Sequence, residues 1–356
     1  MIKMGNSKRK FILNRREFIK TSISSITAFF GGSLLRVNSI YSKENYNVGD
    51  ITVTWAGIFL YYLPVEVAKE KGFFEEEGIK VGKIFTSKGG ATTVRNIVDG
   101  GLPFGECSAD SATSAILKTK EPFKLVAGAV KSPGSLAWVV RPDSPIKKIQ
   151  DLKGKIMCFT SPGSVSEALA ALCLEAAPGI EPGEVKRIAA GGVGPGYILL
   201  EKGEIDAAFT LEPTTSTKGT KFRILFYARE LVPDYFQTFW MARESFLKTH
   251  PHVMRGFLRA RAKGVKFILE KPEEAAKILI KTNEVATTME LAMKTLKEEG
   301  AITGEYYSDN RFIKRGLDLV EKGMKIVGSI PTDAKIPWAE IIDQTHIEEA
   351  KRIKLI

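Results

Sequence analysis

Short apolar runs of strand length alternate with amphipathic stretches of helix length from residue 51 to residue 130. The alternation breaks at Lys131-Ser132-Pro133-Gly134 and then starts again. In the first series the spacing predicts strands over 51–55, 79–85, 104–107 and 124–130, separated by helices over 64–71, 91–99 and 111–118. Pro64 falls in the first turn of one helix, Gly72 and Gly100 stop two of them, and Asp110 is placed to cap the third. In the second series strands are expected over 136–141, 155–159, 185–189 and 205–209, with helices over 164–176 and 196–202. Strands joined through helices form βαβ units and a mostly parallel sheet. A pattern that restarts after Pro133 therefore predicts two α/β lobes rather than one continuous sheet. A weak internal echo agrees: Asn96-Ile-Val-Asp-Gly100 before Phe104-Gly105 is matched by Leu199-Leu-Glu-Lys-Gly203 before Asp206-Ala-Ala-Phe209. From about Glu244 onward the chain reads as almost wholly helical. The amphipathic stretches 246–270 and 272–281 are expected to pack on the first lobe.

Ahead of this body, Asn14-Arg15-Arg16-Glu17-Phe18-Ile19-Lys20 follows a basic stretch and precedes an apolar run over 23–35. Serines and glycines dilute that run, which is too short and too polar to favour spanning a bilayer. The order of parts resembles a twin-arginine export signal, an address read by a receptor and not an anchor. Taken as residues 1–42, with Ser39 and Ser42 offering cleavage points, it implies passage through the twin-arginine machinery to the periplasm. It also carries much of the positive charge. Residues 1–42 hold eight of the 52 Lys/Arg and one of the 41 Asp/Glu, so the net charge falls from +11 to +4 without them. A mildly basic body with no basic cluster interleaved with aromatics gives no reason to expect a nucleic-acid partner.

Enzyme chemistry has little to stand on. Histidine occurs only at 250, 252 and 346, all in the helical C-terminal region, and no metal-ligand spacing appears. There is no nucleophile elbow and no Ser/His/Asp order. Gly191-Gly-Val-Gly194-Pro-Gly196 fits neither a dinucleotide fingerprint nor a P-loop, and no cofactor is implied. Cys107, Cys158 and Cys173 make no disulfide framework; Cys158 and Cys173 lie in neighbouring elements, and whether they pair stays open.

The strand-to-helix junctions carry the binding chemistry instead. In open α/β sheets, ligands gather at the carboxyl ends of strands, where helix N-termini present free N–H groups. Here the junctions are small and polar. Ser87-Lys88-Gly89-Gly90 opens the second helix, Ser108-Ala-Asp110-Ser111 the third, and Ser161-Pro-Gly-Ser164-Val165 the first helix of the second lobe. The same residues are also good caps and turn formers. Gly192, within the glycine-rich run, lets the backbone approach a cleft. The first junction is long and aromatic, and Trp55, Phe59 and Tyr62 can wall a cleft or pack as core beneath a loop. Only one lysine, Lys88, falls in these loops.

The run Val65-Glu-Val-Ala68-Lys-Glu-Lys-Gly72-Phe-Phe-Glu-Glu-Glu-Gly78-Ile79 resembles the opening of the substrate-binding proteins of nitrate, sulfonate and taurine importers, a family that also includes binders of thiamine-precursor pyrimidines. Further matches follow in the family's order: Asp99-Gly100 with Phe104-Gly105, Ile149-Gln-Asp-Leu152-Lys-Gly154-Lys155, Gly203-Glu-Ile-Asp206-Ala-Ala-Phe209, Glu212-Pro213, Phe246-Leu247-Lys-Thr-His250-Pro251 and Lys271-Pro272-Glu-Glu-Ala-Ala276. The resemblance covers roughly residues 51–281. It implies a two-lobed, type II periplasmic-binding-protein-like fold with two mixed sheets. Lobe 1 would be residues 48–133 plus 241–356 and lobe 2 residues 134–240, with crossings near Lys131–Gly134 and Thr238–Trp240. It implies a monomer that binds a small molecule in the cleft, closes over it and hands it to an ABC permease. Glu212 stands where the family places a cleft or hinge residue. Two acids, Asp110 and Glu212, sit poorly with a purely anionic ligand. The competing expectations are a pyrimidine-precursor synthase-like enzyme, whose cysteine and histidine cluster is missing here, and a binding lobe feeding a sensor.

Overall fold

The computed structural model describes residues 45–54, 60–87, 90–119, 122–134, 136–211, 221–282 and 287–355. The first series forms β1 (Tyr46–Thr54), α1 (Leu63–Glu70), α2 (Phe73–Glu76), β2 (Ile79–Ser87), α3 (Gly90–Val98), β3 (Phe104–Ser108), α4 (Ala109–Lys118) and β4 (Phe123–Val130). The second forms β5 (Ala137–Val140), β6 (Ile156–Phe159), α5 (Val165–Ala176), β7 (Lys186–Ala189), α6 (Val193–Glu201), β8 (Ala208–Thr210), β9 (Arg223–Tyr227) and α7 (Ala228–Leu231). The chain continues as β10 (Thr238–Arg243), α8 (Glu244–Thr249), α9 (Pro251–Glu270), α10 (Pro272–Thr282), α11 (Met289–Glu298), β11 (Tyr307–Asn310), α12 (Lys314–Ile326) and α13 (Trp338–Ile341).

The strands separate into two groups, giving a two-lobed α/β fold. One mixed six-stranded sheet has the order β11-β4-β10-β3-β1-β2. In it β1 runs parallel to β2 and β3, and β10 runs antiparallel to both β3 and β4. The second series builds a three-stranded antiparallel sheet, β8-β5-β9, and a parallel pair, β6-β7. A single bridge from Met157 to Ala207 links these two. Among the described residues no ladder joins the first group to the second.

Burial explains the strands. β3, β4 and β10 are covered on both faces, so they read as near-continuous apolar runs. Phe257 of α9 sits at the centre of the first core, 4.7 Å from Phe104 and 4.8 Å from Trp240 between ring centroids, and it stacks on Phe74 at 5.4 Å. In the second group Trp138 lies between Phe209 and Phe226, and its indole N–H donates to the Cys158 carbonyl at 2.9 Å. Each such ring contributes about 1.5–3 kcal/mol through burial. Cys107, Cys158 and Cys173 are free and buried.

Three local expectations are corrected. The helix read as starting at Ser111 starts at Ala109, so Asp110 lies inside its first turn and caps nothing. β3 runs straight into α4 because the Ala109 N–H is already satisfied by the Gln237 carbonyl at 2.9 Å. The stretch 246–270 breaks at His250, and α9 begins on Pro251, whose missing N–H costs nothing at a first helical position. The C-terminal region, mainly helical, also contributes β11. That strand is pinned by the buried Arg261, which donates to the Ser308 and Ala129 carbonyls and to Asn310 Oδ1 at 2.9–3.0 Å. No periodic pattern in four residues announces such a strand.

α12 packs against both α4 and α5. Gly323 makes the α5 contact possible: a Cβ there would lie 3.0 Å from the Ala168 Cβ and 3.2 Å from Leu172 Cδ1. Among the described residues no helix is long and apolar enough to cross a membrane.

Candidate functional site

One edge of the large sheet gathers the carboxyl ends of β1, β2, β3 and β4 beside the start of β10. Thr54 pairs with Ser87, and Thr238 pairs with both Ser108 and Val130. Gln237, one residue before β10, joins this edge together. Its N–H donates to the Val130 carbonyl and its carbonyl accepts from Ala109, each at 2.9 Å. Its side-chain amide donates to the Ser132 carbonyl at 2.5 Å and accepts the Tyr61 hydroxyl. All four of its polar functions are therefore used, and they tie the segment leading into β10 to the end of β4 and to Ser132 just after it.

The start of α4 meets the start of α5. Ser111 Oγ donates to the Gly163 carbonyl at 3.5 Å, a contact between elements of the two series. On the α4 side, Asp110 Oδ1 accepts the Tyr235 hydroxyl at 2.7 Å. Asp110 Oδ2, Ser108 Oγ and Thr113 Oγ1 are buried and meet no partner among the described residues. Burial pushes the Asp110 carboxyl up to about 7; Tyr235 pulls it down and the nearby Glu167 carboxylate pushes it further up. On the α5 side the hydroxyls satisfy one another. Ser164 Oγ and Ser166 Oγ lie 2.9 Å apart, and Thr160 Oγ1 lies 2.8 Å from Ser166 Oγ. Ser166 also takes the Thr160 N–H, Ser164 caps α5 through the Glu167 N–H at 3.3 Å, and Glu167 Oε2 accepts the Gly163 N–H at 2.7 Å.

The other expected residues are placed as follows. The Ser87 hydroxyl bonds to that of Thr93, and Gly90 is the first residue of α3. Val165 opens α5 and packs partly buried against the main core. Gly192 precedes α6 with φ of 148°, a conformation natural to glycine. Tyr62 is buried in the core, and its carbonyl accepts the Val65 and Glu66 N–H groups of α1. Trp55, Phe59, Lys88 and Glu212 lie outside the described residues.

Behind the site is a polar layer that sequence reading missed. Glu106, fully buried mid-strand in β3, accepts the Thr238 hydroxyl at 2.6 Å. Burial pushes it up to about 7, with Arg261 and Thr238 pulling it down. A glutamate inside the run Phe104-Gly-Glu-Cys-Ser was the one available signal. Gln237 and Tyr235 carried none. Among the described residues no group of three His, Cys, Asp or Glu side chains is arranged to hold a metal ion.

A protein-family model described as "NMT1/THI5 like" matches residues 60–275. No curated protein matches the chain. Solved structures share the fold at low identity. The periplasmic aliphatic sulphonate binding protein SsuA of Escherichia coli is 16% identical with a TM-score of 0.68, over 86% of this chain and 95% of that one. The alkanesulfonate-binding protein SsuA of Xanthomonas axonopodis pv. citri, solved with MOPS bound, is 13% identical with a TM-score of 0.65, over 84% and 99%. The periplasmic nitrate-binding protein NrtA of Synechocystis PCC 6803 is 15% identical with a TM-score of 0.58, over 82% and 84%.

Proposed function

The chain belongs to the NMT1/THI5-like family, and from that premise we propose that it is an extracytoplasmic solute-binding protein serving an ABC-type importer. The solute would be a small molecule such as a sulfonate, nitrate, taurine or a pyrimidine-like compound. The observation that carries this reading is the meeting of two helix N-termini, α4 and α5, with Ser111 against Gly163 and with Ser108 Oγ and Asp110 Oδ2 beside them meeting no partner among the described residues. Polar groups gathered where two groups of strands meet suit capture of a small molecule followed by closure. In this reading lobe 1 is residues 48–133 plus 241–356, lobe 2 is residues 134–240, and the crossings tied by Gln237 form the hinge. Residues 1–42 act as a twin-arginine signal, which sends a monomer to the periplasm. The protein binds and releases; it catalyses nothing.

Closure needs close approach at Ser164, the cap of α5. Ser164→Trp is expected to weaken ligand binding at least a hundredfold, because the ring blocks that approach, while the variant stays folded. Calorimetry with a solute found by thermal shift measures the loss, and small-angle scattering measures compaction. Wild-type affinity and compaction in the Trp variant would remove this junction from the site.

A further inference from the structure

The Asp110 carboxylate is almost fully buried, and only one of its oxygens is used. Oδ1 accepts the Tyr235 hydroxyl at 2.7 Å. Oδ2 meets no donor among the described residues, nor does the adjoining Ser108 Oγ. A second carboxylate, Glu167, stands close enough to act on it electrostatically, with one oxygen on the Gly163 N–H. Among the described residues, cations from the surrounding elements are engaged elsewhere. Lys322 of α12 pairs with Glu175 at 2.9 Å, Arg95 of α3 donates to Thr92, and Arg229 of α7 donates to the Gly134 carbonyl. A buried carboxylate oxygen without a donor among the described residues, under the influence of another acid, repels a ligand that offers only acceptors. Nitrate and simple sulfonates are such ligands.

We propose that Asp110 is the specificity-determining residue of the cleft, and that the ligand presents to it a positively charged nitrogen bearing N–H bonds, as in an amine or amidine. This rests on the solute-binding reading and divides its candidate solutes by whether they carry such a nitrogen. The bound cation supplies the donor that Oδ2 lacks and separates Asp110 from Glu167 by a positive charge.

Binding then carries a pH signature. The free protein holds Asp110 largely protonated below about 7. A cation binds the ionised form, so its affinity rises with pH from about 6 to about 8 and levels off above. The groups facing Asp110 are Glu167 of α5 and Tyr235 of the second crossing, whose hydroxyl burial holds well above its ordinary 10. At this point α12 offers Gly323, close to the Tyr235 hydroxyl.

The test is calorimetric titration and thermal shift of the purified protein with benzamidine and butylammonium, against benzenesulfonate, methanesulfonate and nitrate. The cations are expected to bind and stabilise the wild type. Asp110→Asn should lower their affinity at least tenfold and flatten its pH dependence, while the ligand-free variant melts at the same temperature or higher. Ser108→Ala, which removes the neighbouring hydroxyl, should cost the cations threefold to tenfold and gives a second readout if Asp110→Asn fails to fold. Binding of the anions alone, undiminished in Asp110→Asn, overturns the proposal and leaves the solute-binding reading standing. A pH-independent benzamidine affinity in the wild type also overturns it. Failure of every probe in both classes overturns it and removes support from the solute-binding reading as well.

Discussion

The starts of α4 and α5 face each other, open with the same kinds of residue, and are finished in opposite ways. At α5, Thr160, Ser164, Ser166 and Glu167 bond to one another and to the local backbone. At α4, Ser108, Asp110 and Thr113 each keep a buried polar atom that meets no partner among the described residues. A saturated junction is rigid and adds nothing to ligand affinity that it has not already given to the fold. An unsaturated one leaves desolvation costs standing until a ligand removes them. In the binding reading proposed above, this difference would make α5 a preformed surface and α4 the source of the groups that discriminate among ligands.

Three substitutions sharpen or break this contrast. The largest effect belongs to the hub that serves both sides. Gln237→Leu removes the amide donor of the Ser132 carbonyl and the acceptor of the Tyr61 hydroxyl and should destabilise the fold by about 2–4 kcal/mol. Denaturant unfolding measures it, and a loss below that of a typical surface substitution would show that the crossings are not joined there. Next comes the saturated junction. Ser166→Ala removes the acceptor of the Thr160 N–H and a corner of the hydroxyl cluster, at about 1–2 kcal/mol. The smallest effect on stability should come from the unsaturated side. Ser108→Ala is expected to leave stability unchanged or raise it by up to about 1 kcal/mol, since its buried hydroxyl has no partner among the described residues to lose. Should Ser108→Ala cost as much as Ser166→Ala, the contrast between the two helix starts would collapse.

Much of the architecture was legible because its signals are local. Pro64, Gly72 and the apolar run before Val130 each mark a boundary through backbone geometry or periodicity, and the restart after Pro133 marks the second group of strands. The site was legible only in outline. Ser108, Asp110, Ser111 and Ser164 were visible as polar residues at strand-to-helix junctions, because that geometry recurs at the ends of parallel strands. Their partners were not. Tyr235 lies 125 positions from Asp110 and Gln237 lies 176 from Tyr61, so no window of sequence holds both ends of either contact. Asp110 read as a cap because an acid before a helix usually is one. What displaced it was a backbone hydrogen bond from the Ala109 N–H to the carbonyl of Gln237, the residue just before β10 and 128 positions away.

That late strand also governs how the chain must be made. β10 lies between β3 and β4, pairing with both. Until residue 243 has left the ribosome, β3 and β4 have no common neighbour, and the backbone groups that β10 later takes up are open to other chains. The first 133 residues therefore cannot complete their own sheet, and a truncation there would give an aggregation-prone fragment rather than a small domain. The intervening residues must be looped out before the sheet closes, which makes the β3–β10 and β10–β4 pairings long-range contacts of the kind that slow folding.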